Sequence, residues 1–275
     1  RQTEASVTKK FRELLLFGNK KEALEWAMTQ GLWGHALFLA SKMDQRTYSS
    51  VMIRFANGLA LTDPLQTLYQ LMSGRQPTAV TSCGDDKWGD WRPHLAMILS
   101  NSTSKSGNNS SELDKKSIVT LGDTLSARGF LLAAHFCYLV AQVEFGNYSN
   151  KASKLVLLSS SSSLSFDAFA TNEAIQCTEV YEYARQLAAP EFMIPSFQSY
   201  KFLYATRLAE HGRPAEALQY CEAVGNILAK SASTYSPSLI DQVYQLGSML
   251  KYSDPQFLTE NDGTSLGDPS WLTAL

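Results

Sequence analysis

Apolar residues return every three or four positions along most of this chain, while alternation with a period of two is scarce. Glu4 to Phe17 carries Phe11, Leu14 and Leu15 at i, i+3, i+4, and Leu65, Leu68, Tyr69 and Met72 repeat that spacing after Asp63-Pro64. Each segment presents one apolar stripe, so each predicts an amphipathic helix. Asp63-Pro64, Ser236-Pro237, Asp254-Pro255 and Asp268-Pro269 put an oxygen-bearing side chain at an N-cap and proline at N1, where the missing N–H costs nothing. These pairs mark helix starts. Lys154 to Leu158 is the one short run that fits a strand, and a single strand makes no sheet. The predicted class is all-α.

A weak internal repeat sharpens that prediction. Gly, then four residues, then Ala, then an apolar residue three further on, occurs as Gly18/Ala23/Trp26, Gly31/Ala36/Leu39, Gly129/Ala134/Cys137 and Gly212/Ala217/Tyr220. This is the chemistry of a helical hairpin: Gly ends one helix in a left-handed cap, the next helix starts at once, and Ala lets the two axes approach. The starts lie 13, 98 and 83 residues apart, which is not a fixed period, so an irregular α-solenoid of helical hairpins is expected. We expect a single helical solenoid domain over 1–275, with a mobile loop over 100–117 and a Ser-rich loop over 159–165.

Composition narrows the function. The chain has 275 residues, 44% apolar and 18% charged, with 24 Lys+Arg against 26 Asp+Glu, enough apolar content for a sizeable core and no net positive field. Nucleic acid is therefore not an expected partner, because tight binding to it needs many phosphate contacts. Protein partners are. Cys83, Cys137, Cys177 and Cys221 form no CxxC pair, so neither a zinc site nor a disulfide framework is signalled. Phe130 to Val143 is interrupted by His135 and Gln142 and falls short of the ~20 residues that span a bilayer, so it reads as a core helix. The chain starts at Arg1 with no secretory signal and reads as part of a longer protein.

Catalytic signatures are missing from the sequence. No Gly is followed by another two residues on, which removes a GxGxxG dinucleotide loop, and there is no GxxxxGK, HExxH or GxSxG. The expectation is a protein that is not an enzyme, with no catalytic residues, no cofactor and no metal. His35 and His135 flank alanines of the repeat and are expected to pack between helices. The most information-rich segment is Lys87 to Leu95, where Trp88 and Trp91 with Arg92 have the composition of a protein-interface hot spot. The opposing reading has Asp90 capping a helix through Leu95, Ile98 and Leu99, with both indoles locked into the core.

Longer blocks carry a resemblance. FRELLLFGNKKEALEWAMTQGLWGHALFLASKMD (11–44), DPLQTLYQLMSGRQP (63–77), KWGDWRPHLAMILSN (87–101), AAHFCYLVAQ (133–142), FATNEAIQCTEVYEYA (169–184) and YSPSLIDQ (235–242) are similar to the central conserved domain of the Sec-sixteen family. The resemblance implies a non-enzymatic scaffold that organises COPII coat assembly at endoplasmic-reticulum exit sites and so supports transport from endoplasmic reticulum to Golgi. It implies a bent α-solenoid of the ancestral coatomer element type, peripheral residence on the cytosolic face of the endoplasmic reticulum with a Golgi periphery as a second address, and COPII coat proteins as partners. Among these is the outer-cage β-propeller subunit, reached through N-terminal blade strands that this sequence does not include. It is compatible with a homo-oligomer. The alternatives are a nuclear-pore-type scaffold of the same architecture and an all-α hydrolase or lipid-transfer domain.

Overall fold

The computed structural model describes residues 4–82, 90–101, 108–253 and 268–275. The chain forms two compact units, Arg1–Gln142 and Val143–Leu275, where the sequence suggested one domain over 1–275. The first unit holds α1 (Glu4–Leu16), α2 (Lys20–Thr29), α3 (Trp33–Ser41), α4 (Gln45–Asn57), α5 (Pro64–Met72), α6 (Ala79–Ser82), α7 (Arg92–Ser100), α8 (Asn108–Ala127) and α9 (Leu131–Val140). The second holds α10 (Phe166–Phe169), α11 (Asn172–Ala188), α12 (Gln198–Glu210), α13 (Pro214–Lys230), α14 (Pro237–Leu250) and α15 (Ser270–Thr273), with single 3₁₀ turns at Pro195–Phe197, Ala232–Thr234 and Lys251–Ser253. In both units a helix packs mainly on the helix next to it or next but one along the chain, which is solenoid packing.

The four glycines of the repeat do what their spacing predicts. Gly18, Gly31, Gly129 and Gly212 have φ of 77°, 77°, 86° and 73°, the left-handed region that excludes most side chains. The following amide reaches back to close the old helix, Asn19 to Leu14 O at 3.0 Å, Leu32 to Ala27 O at 2.8 Å, Phe130 to Leu125 O at 2.9 Å and Arg213 to Leu208 O at 2.9 Å. That same residue is the N-cap of the new helix, and its carbonyl accepts from the repeat alanine. Ala23, Ala36, Ala134 and Ala217 are all fully buried. Ala36→Leu and Ala217→Leu are each expected to destabilise by about 1 to 3 kcal/mol through overpacking. Urea unfolding checks this, and an unchanged midpoint in both would refute the close-approach role.

Among the described residues there is no strand, only one parallel bridge, Phe145 with Leu155, closed by Gly146 N donating to Leu155 O at 2.8 Å. Leu155 to Leu158 are all buried, and Leu158 N donates to Thr178 Oγ1 on α11 at 2.9 Å. The expected extended segment thus serves as a core strip for the second unit, beside Phe169, Ile175 and Phe197.

Other expectations shift. Asp63 and Ser236 cap as expected, accepting from Leu65 N at 2.9 Å and Leu239 N at 3.3 Å. Asp268 does not cap; Pro269 holds the N-cap of α15 and Asp268 pairs with Lys251 at 2.6 Å, while Asp254-Pro255 lies outside the described residues. The loop expected over 100–117 is helix from Asn108 onward, and Ser117 is fully buried. The inward stripe of α8 begins with Asp114 and Ser117 before Ile118, Leu121 and Leu125, so its first inner positions carry no apolar signal. Residues 159–165 are turns, held by Tyr148 Oη donating to Leu164 O at 2.6 Å and Lys151 Nζ to Ser162 O at 2.7 Å.

Two features of the second unit bear most on its stability. Trp271 on α15 lies in a slot between α13 and α14 where both helices carry glycine: a Cβ at Gly225 would meet Trp271 Cε3 at 2.7 Å and one at Gly247 would meet Cη2 at 2.5 Å. Deeper in, the Glu182 carboxylate of α11 pairs with Lys201 of α12 and accepts Ile194 N at 2.8 Å and Gln198 Nε2 at 3.2 Å. Both charged side chains are buried.

Candidate protein-binding surface

α7 begins with Trp91 at its N-cap and Arg92 at its first position. Asp90 turns the chain into the helix by accepting Arg92 N at 3.0 Å, while the Arg92 guanidinium pairs with Asp90 at 3.3 Å and stands 5.6 Å from the centre of the Trp91 ring. Those contacts hold the Asp90 carboxyl below the usual carboxylate range, the Arg92 amide contributing most. Trp91 is half-buried and Arg92 exposed. Leu95 and Ile98 anchor the helix in the core, and Leu99 is exposed. Trp88 lies outside the described residues.

His94, one turn beyond Trp91, ties α7 to α5. Its Nδ1 lies 2.7 Å from Thr67 Oγ1, and burial pushes its pKa down, against a smaller pull upward from Asp63 and Asp90. It is therefore held neutral and acts as a strut between the two helices. His135 is buried as expected, whereas His35 is exposed and rests on Phe11 with ring centres 5.2 Å apart.

α5 itself is turned over. Its buried residues are Gln66, Thr67 and Gln70. Gln66 Nε2 donates to Leu59 O at 3.1 Å, Gln70 Nε2 to Asn57 Oδ1 and Thr78 Oγ1 at 3.1 Å, and Gln70 Oε1 accepts Thr78 N at 2.8 Å. Gln70 is thus paired at both ends of its amide, whereas Gln66 Oε1 is buried with no partner among the described residues; the bonds made by these polar side chains hold this face of α5 inward. The leucine stripe that would normally be buried is left partly in solvent: Leu65 is 40% and Met72 60% exposed, with Leu61 before the helix at 49%. Leu68 and Tyr69 are half-buried, Tyr69 against Phe55 at 5.6 Å between ring centres. Exposed leucine and methionine on α5, and the Arg-Trp pair at the start of α7, are side chains of the kind found at protein-docking surfaces.

The sequence pointed to Trp91 and Arg92 but missed Leu61, Leu65 and Met72 as surface residues. The available signal was the row of Gln66, Thr67 and Gln70 on the opposite face of α5. Among the described residues no group of three or more His, Cys, Asp or Glu is placed to hold a metal ion, and no helix is long and apolar enough to cross a membrane.

Residues 11–263 match the family described as the Sec16 Sec23-binding domain. The chain belongs to that family. It is 56% identical over 268 residues to the human protein transport protein Sec16A, covering 98% of this chain and 11% of that protein. It is 53% identical over 274 residues to human Sec16B, covering 100% of this chain and 25% of that one. An Arabidopsis Sec16A homologue is 35% identical over 227 residues, covering 81% of this chain and 16% of its own length. The chain thus spans between about a tenth and a quarter of the curated Sec16 proteins it matches. Among solved structures, the Sec13/Sec16 complex of S. cerevisiae aligns with a TM-score of 0.60 at 20% identity, over 90% of this chain and 67% of that one, which shows a shared fold.

Proposed function

We propose that this domain is a non-enzymatic binding platform of a COPII scaffold, acting on the cytosolic face of the endoplasmic reticulum at exit sites in transport towards the Golgi. The family match over residues 11–263 carries this reading, since the family is described by its binding of Sec23. A nuclear-pore-type scaffold would share the architecture but not that match. Trp91 and Arg92 on α7 and the exposed Leu65 and Met72 on α5 are the side chains through which a coat subunit docks, since they supply an aromatic anchor, a cation and exposed apolar area. Binding of the coat β-propeller belongs instead to strands preceding the helical domain, which would complete an open sheet edge with main-chain hydrogen bonds.

The test is capture of purified COPII subunits by this chain and by a longer chain carrying the preceding strands. We expect Sec23 to be captured by both and the propeller by the longer one. Leu65→Glu with Met72→Glu, and separately Trp91→Ala, should weaken Sec23 capture at least tenfold, or about 1.4 kcal/mol. The melting temperature of the Leu65/Met72 variant should hold, since exposed substitutions rarely shift stability beyond about 0.5 kcal/mol. Undiminished Sec23 capture by both variants would place the docking face elsewhere.

A further inference from the structure

The joint between α1 and α2 carries the two most exposed large apolar side chains among the described residues, Leu16 at 78% and Phe17 at 80%. They follow one another where Gly18 turns the chain, and a Cβ on Gly18 would meet no atom within 4 Å, so the joint stands clear of the first unit rather than lining a cleft. Cations flank this tip on both sides. Val7 and Phe11 are buried and Leu14 half-buried, which leaves Lys9, Arg12 and Leu16, spaced i, i+3, i+7, on the outward stripe of α1. Beyond the turn, Lys20 and Lys21 open α2 and are exposed. None of these four cations makes an ion pair among the described residues. The acids between them are Glu13 and Glu22, which leaves an excess of two positive charges; Glu25 is engaged by Arg54 at 2.9 Å, and Lys10 lies 4.0 Å over the Trp26 ring.

That arrangement selects its partner. An acidic peptide would meet the cations and leave Leu16 and Phe17 in water. An uncharged apolar groove would cover the two side chains but take water from the cations without answering their charge. An anionic bilayer surface satisfies both sets of groups: the boundary of the acyl chains takes the apolar tip, while the longer lysine and arginine side chains reach back to the headgroups. A projecting tip also suits a deformable surface, which needs no pocket of matching shape.

We propose that the α1–α2 joint is a lipid contact, in which Leu16 and Phe17 enter the interface of an anionic bilayer and Lys9, Arg12, Lys20 and Lys21 bind its headgroups. The proposal names the part of the domain that touches the membrane, and rests on the reading given above only for which membrane that is.

The test is flotation of the full 275-residue chain with vesicles of phosphatidylcholine alone and of phosphatidylcholine with about 30% phosphatidylserine, each at low and at high salt. No coat subunit is present, so failure here leaves the Sec23 prediction intact. Leu16→Ser with Phe17→Ser removes the apolar tip, and Lys20→Glu with Lys21→Glu reverses charge at two exposed positions where acids suit the first turn of α2. We expect the chain to partition at least tenfold more strongly onto the anionic vesicles at low salt than onto the neutral ones, and the preference to shrink at high salt. Each double variant should lower partitioning onto the anionic vesicles at least tenfold with the melting temperature unchanged. Equal partitioning onto the two vesicle types, or undiminished partitioning by either double variant, would overturn the proposal. Absence of partitioning onto both vesicle types would also overturn it, and a loss of Sec23 capture by the Leu16/Phe17 variant would then identify a protein as the occupant.

Discussion

Replacing Trp271 with alanine is expected to destabilise the protein by about 3 to 5 kcal/mol, the usual range for emptying a buried indole site. For a chain of this size that corresponds to a fall in melting temperature of roughly 6 to 20 °C. Burial is only part of the reason: α13 and α14 both carry glycine where the ring lies, so neither of those positions has a side chain to fill the vacated space. The same geometry makes a sign prediction. In the native protein Gly247→Ala places a methyl 2.5 Å from Trp271 Cη2 and should destabilise. In the Trp271→Ala background the ring clash is gone, the remaining close atom is Leu272 Cδ1 at 3.2 Å, the end of a side chain that can turn away, and alanine is the better helix former by about 1 kcal/mol, so the same change should stabilise. Urea denaturation of the four proteins reads both effects, and a Gly247→Ala effect of the same sign in both backgrounds would defeat the slot interpretation.

Glu182→Leu should have an effect of similar size for a different reason. The substitution strands the buried Lys201 ammonium and takes away the acceptor of Ile194 N and Gln198 Nε2. Breaking a buried pair from one side is expected to cost about 3 to 5 kcal/mol, whereas replacing both members by apolar groups is often nearly neutral. Glu182→Leu with Lys201→Met should therefore recover most of the stability lost by Glu182→Leu alone. If the single variant loses under 1 kcal/mol in denaturant titration, or the double variant recovers nothing, the pair does not hold the Ile194 turn onto α11 and α12 as described.

The helical class and the hairpin joints were legible because their signals are local. A left-handed cap needs glycine at one position and a close crossing needs a small residue five positions later, and both lie within a single turn of sequence. A fifth joint escaped: Gly74 also has positive φ, at 73°, Arg75 N reaches back to Gln70 O at 3.0 Å, and Ala79 is buried five residues on. Pro77 delays the next helix there, and Ser82 stands where the pattern asks for an apolar residue. The orientation of α5 was not legible, because periodicity identifies an apolar stripe without saying whether neighbouring elements cover it. Its polar face won the interior through partners outside the helix, Leu59, Asn57, Thr78 and His94, and nothing in the periodicity of α5 says that those groups fold onto it. The Trp271 slot is similarly non-local: two mid-helix glycines 22 residues apart give no sign of sharing one indole. Of the candidate surface residues, Trp91 and Arg92 stood out by composition, and the exposure of Leu65 and Met72 did not.

The preference of each helix for its sequence neighbours has a consequence for how the protein is made. The first hairpin, α1 with α2, is complete within Glu4 to Thr29, a length a ribosome delivers in roughly 1 to 5 seconds. Helix pairing at such short range is complete in microseconds to milliseconds, so each joint can close before the following helix has left the exit tunnel. Apolar faces are then exposed only briefly and one at a time, which limits opportunities for a nascent chain to stick to its neighbours on a polysome. Trp271 is the exception to that schedule. It is translated after α13 and α14 are finished, and until it arrives those two helices meet across a pair of glycines with a ring-sized gap between them.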